Sequence, residues 1–280
     1  MNKRFATDQS KINLVKQSYW NQNWDASELA KPIDISKGIF KNPQSRRLHL
    51  LFRRYLSDLP VGTTLLEVGC ANSYFLPYFA TEYGFSVTGL DYSEKGCEQA
   101  KAILERDEID GGVVCSDMFA PPDKMRNAFD IVISFGVVEH FTPTTRALDA
   151  LNVFLRLGGM IITLIPNMNG LVAFMQKQVN RQIYDLHVSL TKNGLLSAHR
   201  DSGFDCLFCD YYTFVDFYVN NTGNVDSVIW IAVLKALRVL SKAVWLIENV
   251  TRPFPSNRYM SPYVICIAKK TGTCQPHMGS

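Results

Sequence analysis

Three acidic residues close three successive apolar runs: Glu67 in TTLLEVGCANS, Asp91 in FSVTGLDYS and Asp117 in GGVVCSDMF. A carboxylate at the end of a buried strand either caps the next helix or accepts hydrogen bonds from a ligand at the sheet edge. Glu67 stands beside a turn, where its charge repels phosphate and attracts a cation or an ammonium group. Asp91 ends the next run and can accept from both hydroxyls of a ribose. Asp117 can accept from an exocyclic amine, with Met118 lying against a purine ring. Each acid alone is as readily a helix cap. Three in register with one small-residue turn argue for an adenosyl-type ligand. Further along, FDIVISFGVV leads into Glu139-His140, and an imidazole titrating near neutrality can take a proton from a hydroxyl.

The turn itself reads Gly69-Cys70-Ala71-Asn72-Ser73-Tyr74. Gly69 allows a tight bend and close approach of the backbone to a ligand, and Ala71 and Ser73 keep that approach nearly as open. A pyrophosphate cradle needs G-x-G-x-x-G or a Walker lysine, and neither is present. An NAD-type dehydrogenase is therefore disfavoured.

The elements that must position these residues follow from periodicity. Strands are predicted over TTLLEVG, FSVTGLD (85–91), GGVVCSD, FDIVISFGVV (129–138) and MIITLIP, and later over 204–214 and 261–270. Helices are predicted over 49–59, 74–83 and 93–108, and over TTRALDALNVFLRL, ended by Gly158-Gly159. Strands alternating with helices at this spacing predict an α/β fold with a doubly wound, mostly parallel sheet. Residues 1–60 read as a polar, helical lid with aromatic punctuation at Tyr19, Trp20 and Trp24. Residues 61–280 read as the sheet domain, with a helical insertion at about 215–258.

The chain has 280 residues, 47% hydrophobic, enough for a sizeable core. A net charge of +3 with no Lys/Arg block does not point to a nucleic-acid partner, and none is expected. Seven scattered cysteines suit a reducing cytosol. The Cys206-x-x-Cys209 pair has no second half for zinc, and no His and carboxylate spacing suggests a metal site, so no metal is expected. MNKRFATDQSKIN has no apolar core and does not read as a signal peptide. His49 and His277 suggest no role, and CQPHMGS at the end leaves open whether it is native.

LLEVGCANS, VTGLDYS, VVCSDMF, FDIVISFGVVEHF and LRLGGMIITLIPN together resemble the class I S-adenosylmethionine-dependent methyltransferases over roughly residues 60–205. VVEHF and GGMIITLIPN look most like the small-molecule type, similar to quinone O-methyltransferases and polysaccharide-cluster enzymes. The resemblance implies a seven-stranded Rossmann-like sheet and S-adenosyl-L-methionine as cofactor. It implies Glu67 and Gly69 at the methionine part, Asp91 at the ribose, and Asp117 and Met118 at the adenine, with Ala71 and Tyr92 also among the cofactor-binding residues. Ser134 and Phe135 would lie near the sulfonium. YWNQNWD resembles the family's aromatic lid, with Tyr19 over the sulfonium as a cation–π partner. His140 and His187 are the candidate catalytic residues. His187 fits the place of a histidine that precedes a K-x-x-L helix in the quinone-type enzymes. Tyr184 and Asn167 are further pocket candidates, and His199 reads as structural. The sequence departs from the family where glycines are commoner, at Ala71 and Ser73. It lacks the Pro-Pro motif of amino-methylating DNA enzymes, since Ser134-Phe135-Gly136-Val137 stands there.

The acceptor implied is a small molecule, a saccharide or a lipid-linked compound, methylated at oxygen. A cofactor-binding scaffold without turnover, and methylation of protein or RNA, are the alternatives. SVIWIAVLKALRVLSKAVWLIE, 227–248, places Lys235, Arg238, Ser241 and Lys242 on one helical face with the rest apolar. Three readings stand open for it: a cap on the core, a homodimer contact, or a helix set into a membrane surface.

Overall fold

The computed structural model describes residues 13–25, 28–33, 35, 43–221 and 227–271. The readings on Cys274, His277 and the terminal CQPHMGS fall outside them.

Seven strands form one sheet: β1 (Thr64–Val68), β2 (Ser86–Asp91), β3 (Gly111–Cys115), β4 (Phe129–Phe135), β5 (Leu155–Pro166), β6 (Phe204–Tyr212) and β7 (Tyr263–Lys270). Their order is β3-β2-β1-β4-β5-β7-β6. β1 to β5 pair in parallel, and β7 inserts antiparallel between β5 and β6. The winding direction reverses between β1 and β4, where an open α/β sheet leaves a crevice at its strand ends.

Side-chain alternation divides the apolar strands between two cores. Leu65, Val87, Ile131 and Ile133 pack with α2 (Pro43–Leu56), α3 (Phe75–Tyr83) and α4 (Glu94–Arg106). Leu66, Leu90, Val132 and Ile161 pack with α5 (Thr144–Phe154) and α8 (Lys192–Asp201). Phe52 and Phe79 are fully buried, and each such side chain contributes about 1.5–3 kcal/mol by transfer from water. The helical face of α1 (Gln17–Asp25) docks on the start of α4: Ser93 Oγ donates to Asn21 Oδ1, Gln17 Nε2 to Tyr92 O, and Gln99 Nε2 to Trp24 O.

Two predictions change. The helix expected to run to Gly158 stops at Phe154, and Leu155-Arg156-Leu157 is already strand. Arg156 pairs with Asp130 at 2.7 Å, and the register shifts between Phe129 and Ile131. Gly158 at φ +77° carries the strand through that irregularity.

The second change concerns α9 (Val228–Val250). Its polar residues share one helical face, as read from the sequence, but that face is not turned wholly to water. Instead Arg238 donates to Phe217 O and Asn220 O, and Ser241 Oγ accepts from Phe217 N. Leu234, Ser241 and Glu248 are buried, and Glu248 meets Arg47 at 2.9 Å. The segment beneath α9 offers backbone groups that burial would leave unpaired, so polar side chains are its better partners. The outer side of α9 is consequently apolar, with Val228, Ile229, Val239, Leu240 and Val250 each more than half exposed. Lys235 and Lys242 remain exposed at its flank. α9 thus packs over the core as a cap, touching α2 and α6 (Leu171–Val179). Among the described residues no helix is long and apolar enough to cross a membrane.

Candidate active site

The chain turns sharply after β1. Gly69 has φ +82°, and a Cβ built there would lie 2.4 Å from Val137 Cγ2. Its N–H donates to Leu90 O at 2.8 Å, so the turn is fastened to β2.

The Glu67 carboxyl is buried under that turn. Oε1 accepts from Ser73 Oγ at 2.6 Å, while Oε2 has no hydrogen-bond partner. Burial pushes Glu67 up to about 8, with the Asp91 charge adding to the shift and the Ser73 hydrogen bond opposing it. Asp91 accepts from Ala71 N at 3.1 Å and Ser93 N at 2.8 Å. Burial still raises it above the ordinary aspartate value, against those N–H groups and that of Tyr92. Asp117 is exposed and accepts from Phe119 N at 3.0 Å, with Met118 buried next to it.

These residues surround a cavity of about 540 Å³, walled by Glu67, Gly69, Ala71, Asp91, Tyr92, Asp117, Met118 and Phe135. Two of the expected wall residues are elsewhere. Ser134 is wholly buried and does not line the cavity, because successive strand residues face opposite ways and Phe135 takes the open side. Tyr19 lines a neighbouring cavity instead. Of the α1 aromatics, Trp20 and Trp24 reach the first one, stacked at 5.7 Å. Their four-residue spacing puts them on one helical face and was legible in YWNQNWD.

The neighbouring cavity is about 390 Å³ and shares Trp20, Tyr74, Phe75, Phe135, Gly136 and His140 with the first. Its far side holds Glu139 and His187. Of the two candidate catalytic histidines, His140 stands at the junction and His187, which follows α7 (Arg181–Asp185), lines the second cavity alone, with ring centroids 4.7 Å apart. His140 Nδ1 meets Leu186 O at 2.7 Å and His187 Nδ1 meets Ile183 O at 2.7 Å. Burial, then the neighbouring His187, drives His140 down to about 4, against the carbonyls of Leu186 and Gly136. Burial also lowers His187, against Ile183 and Tyr184. Glu139, completely buried with Oε2 unpartnered, rises to about 8. Sequence spacing gave no hint of this triad, since His187 arrives from another part of the chain. The expectation of no metal rested on spacing along the sequence, and the fold brings ligand atoms of these three residues within 4.8 Å of one another.

The other candidates do structural work. Asn167 Nδ2 donates to Arg258 O and Ser261 O, and Tyr184 Oη pairs with Ser189 Oγ at 3.0 Å. Neither lines either of these two cavities. His199 is buried against Thr163 Oγ1 at 3.0 Å, as expected of a core histidine. Arg146, lying over the Phe119 ring, joins the wall of the first cavity without having been singled out.

Comparison with known proteins agrees with this geometry. A family model described as a methyltransferase domain matches residues 66–163. The ubiquinone biosynthesis O-methyltransferase of Coxiella burnetii is 29% identical over 156 residues, covering 53% of this chain and 65% of that protein. The enzyme of the same name from Nitrobacter winogradskyi is 30% identical over 161 residues, covering 57% of this chain and 59% of that one. These matches span less than two thirds of either relative. The structure of geranyl diphosphate C-methyltransferase from Streptomyces coelicolor A3(2) superposes with a TM-score of 0.60 at 13% identity, covering 91% of this chain and 98% of that one. That likeness is one of fold.

The first cavity offers an unpartnered buried carboxylate oxygen, a second carboxylate at the end of β2 and an apolar slot beside Met118. Such a set suits the ammonium, ribose and adenine of S-adenosylmethionine, and the sheet order and the methyltransferase domain matched over residues 66–163 point the same way.

Proposed function

We propose that this protein transfers a methyl group to an oxygen of a small, largely apolar acceptor, an aromatic hydroxyl or a lipid-linked compound. The observation that carries this reading is the shared wall between the two cavities, which lets a reagent in one meet an acceptor in the other. The relatives' name, ubiquinone biosynthesis O-methyltransferase, supports an aromatic oxygen.

Bound in the first cavity, S-adenosylmethionine supplies an electrophilic methyl group. Glu67 would receive its ammonium, Asp91 its ribose hydroxyls, and Asp117 with Met118 its adenine. Trp20 and Trp24 would face the sulfonium as cation–π partners. In the second cavity Leu48, Leu164, Met168 and Ile183 exclude water from the acceptor. The paired imidazoles are placed to assist loss of its hydroxyl proton.

The outer side of α9 would rest on a membrane surface and bring a lipid-linked acceptor to hand. Its exposed apolar residues are flanked by Lys235 and Lys242, each worth about 1 kcal/mol near an anionic leaflet. Labelled S-adenosylmethionine should pass its methyl group to hydroxylated aromatics carrying prenyl tails, in the presence of anionic vesicles. Transfer confined to amines, or none across the panel, defeats the proposal. The protein should float with those vesicles at low salt, and Val239→Glu with Leu240→Glu should abolish flotation. Absence of flotation in the parent removes the membrane contact alone.

Glu67 gives a further expectation. Its folded value near 8 lies above the ordinary glutamate value of 4.5, so at pH 7 the ligand-free protein holds a proton there. The corresponding stability is present in full below about 4.5 and is lost as pH rises through about 8. An incoming ammonium favours the carboxylate and expels the proton. Calorimetric titration of S-adenosylhomocysteine at pH 7 should therefore show enthalpies that depend on the buffer's ionisation heat. The dependence corresponds to about one proton released, and Glu67→Gln should erase it.

A further inference from the structure

Two thiols meet behind the wall of the first cavity, beside the carboxylate assigned to the ribose. Cys97 lies near the start of α4, and Cys115 is the last residue of β3. Parallel pairing sets Cys115 opposite Asp91. Side chains two apart on a strand share a face. Cys115 therefore stands on the side of Val113, which packs into the core holding Ala100 and Leu104 of α4. Cys97 reaches the same spot from the helix, with its Sγ donating to Asp91 O at 3.4 Å. Ser116 N donates to that carbonyl as well, at 2.9 Å.

The two sulfurs are in contact, and the single Cys97 proton is shared between Asp91 O and the Cys115 sulfur. Burial, then this hydrogen bond, raises Cys97 above the ordinary thiol value. Exposure separates the pair: Cys97 is 3% exposed, whereas Cys115 is open to solvent. An accessible thiol with a second one at hand to resolve it is the arrangement of an oxidisable site. Neither sulfur lines the cavity, but the residues that follow Cys115 do, namely Ser116, Asp117 and Met118. The dithiol is thus fastened to Asp91 on one side and runs into the adenine wall on the other.

We propose that Cys97 and Cys115 form a reversible oxidation site, which a hydroperoxide converts to a disulfide, and that this bond weakens the hold on the cofactor. The consequence for the cofactor rests on the methyl-transfer reading above. With hydrogen peroxide, the Cys115 sulfur attacks as thiolate. An S–O bond forms as the O–O bond breaks, and the departing hydroxide takes up the proton the thiol gave. The Cys97 sulfur then attacks that of Cys115. The S–S bond forms, the S–O bond breaks, and hydroxide leaves with the Cys97 proton as a second water. Each sulfur loses one electron, and the peroxide gains two. In a reducing compartment such a bond is transient. At about 2.05 Å it draws the sulfurs closer than their hydrogen bond does, and Cys97 keeps no proton for Asp91 O. β3 is an edge strand with β2 alone beside it. It is the element that yields, and it carries Ser116, Asp117 and Met118 with it.

Treatment of the reduced full chain with hydrogen peroxide, then alkylation and peptide mass mapping, tests the site directly. A Cys97–Cys115 cross-linked peptide should appear. Affinity for S-adenosylhomocysteine should fall about tenfold, the worth of one hydrogen bond, and dithiothreitol should restore it. Cys115→Ser should bind the nucleotide as the parent does and keep that affinity under peroxide. Cys206 and Cys266 have sulfurs 3.7 Å apart and line neither cavity, so Cys206→Ser should leave the peroxide response unchanged. The parent alone suffices to overturn the proposal: no cross-linked peptide, linkage of Cys97 to Cys70 instead, or unchanged affinity in the cross-linked chain each does so. A peroxide response that survives in folded Cys115→Ser does the same. A Cys97–Cys115 link in a chain whose reduced form binds no nucleotide supports the oxidation site and removes the cofactor reading.

Discussion

Asp91→Ala should weaken S-adenosylhomocysteine binding by about 100-fold or more, roughly 3 kcal/mol, the upper range for hydrogen bonds to a charged group. The carboxylate stands at the end of β2 on the wall of the first cavity, with both oxygens already steadied by Ala71 N and Ser93 N. It therefore presents its remaining lone pairs in a fixed direction, and little ordering is left to be done on binding. Deletion also leaves those two N–H groups without their acceptor, so the melting temperature should fall. A titration at a temperature where the variant is fully folded separates the two effects. Asp91→Asn retains one acceptor oxygen and should fall between parent and alanine. Binding by a folded Asp91→Ala equal to that of the parent would place the ribose elsewhere and remove the cofactor assignment.

The second large effect is expected at Gly69, where one methyl group meets two obstacles. A φ of +82° is left-handed backbone, costing a residue with a Cβ about 1–2 kcal/mol. That Cβ would also stand 2.4 Å from Val137 Cγ2, far inside contact distance. Val137 belongs to the cavity wall, so relief by its displacement narrows the site. Gly69→Ala should thus lose about 2–4 kcal/mol of stability, strain and overpacking combined. Cofactor binding should weaken with it. Adding Val137→Ala removes the collision and leaves the backbone penalty, so the double variant should recover part of the loss. Denaturant unfolding of the four proteins closes the cycle. Simple additivity would show that Gly69 and Val137 do not contend for the same space.

Much of this architecture was legible because it is written locally. The buried strands of β1, β2 and β4 announce themselves as short apolar runs, and Gly69 marks the turn that follows the first. Strand-end position is a local property too, so Glu67, Asp91 and Asp117 could be placed on one edge without knowing the neighbours. The boundary between α5 and β5 was misread because Leu155-Arg156-Leu157 suits either conformation. Pairing of Phe129 with Leu155 decides in favour of the strand.

Facing was decided by what lies opposite. The polar side of α9 has helical spacing in any reading, yet Arg238 and Ser241 turn inward because the Phe217–Asn220 backbone needs them there. Likewise Tyr19 and Trp20 are adjacent in sequence but serve different cavities, since neighbouring helix positions point in different directions.

The sequence by itself determined the sheet, the tight turn and the row of carboxylates, since each depends on residues within one strand and its turn. Only the tertiary structure decided the second cavity, the outward apolar side of α9 and the meeting of His187 with Glu139 and His140. Those depend on which distant segments pack together, and no spacing along a chain encodes a distance across it.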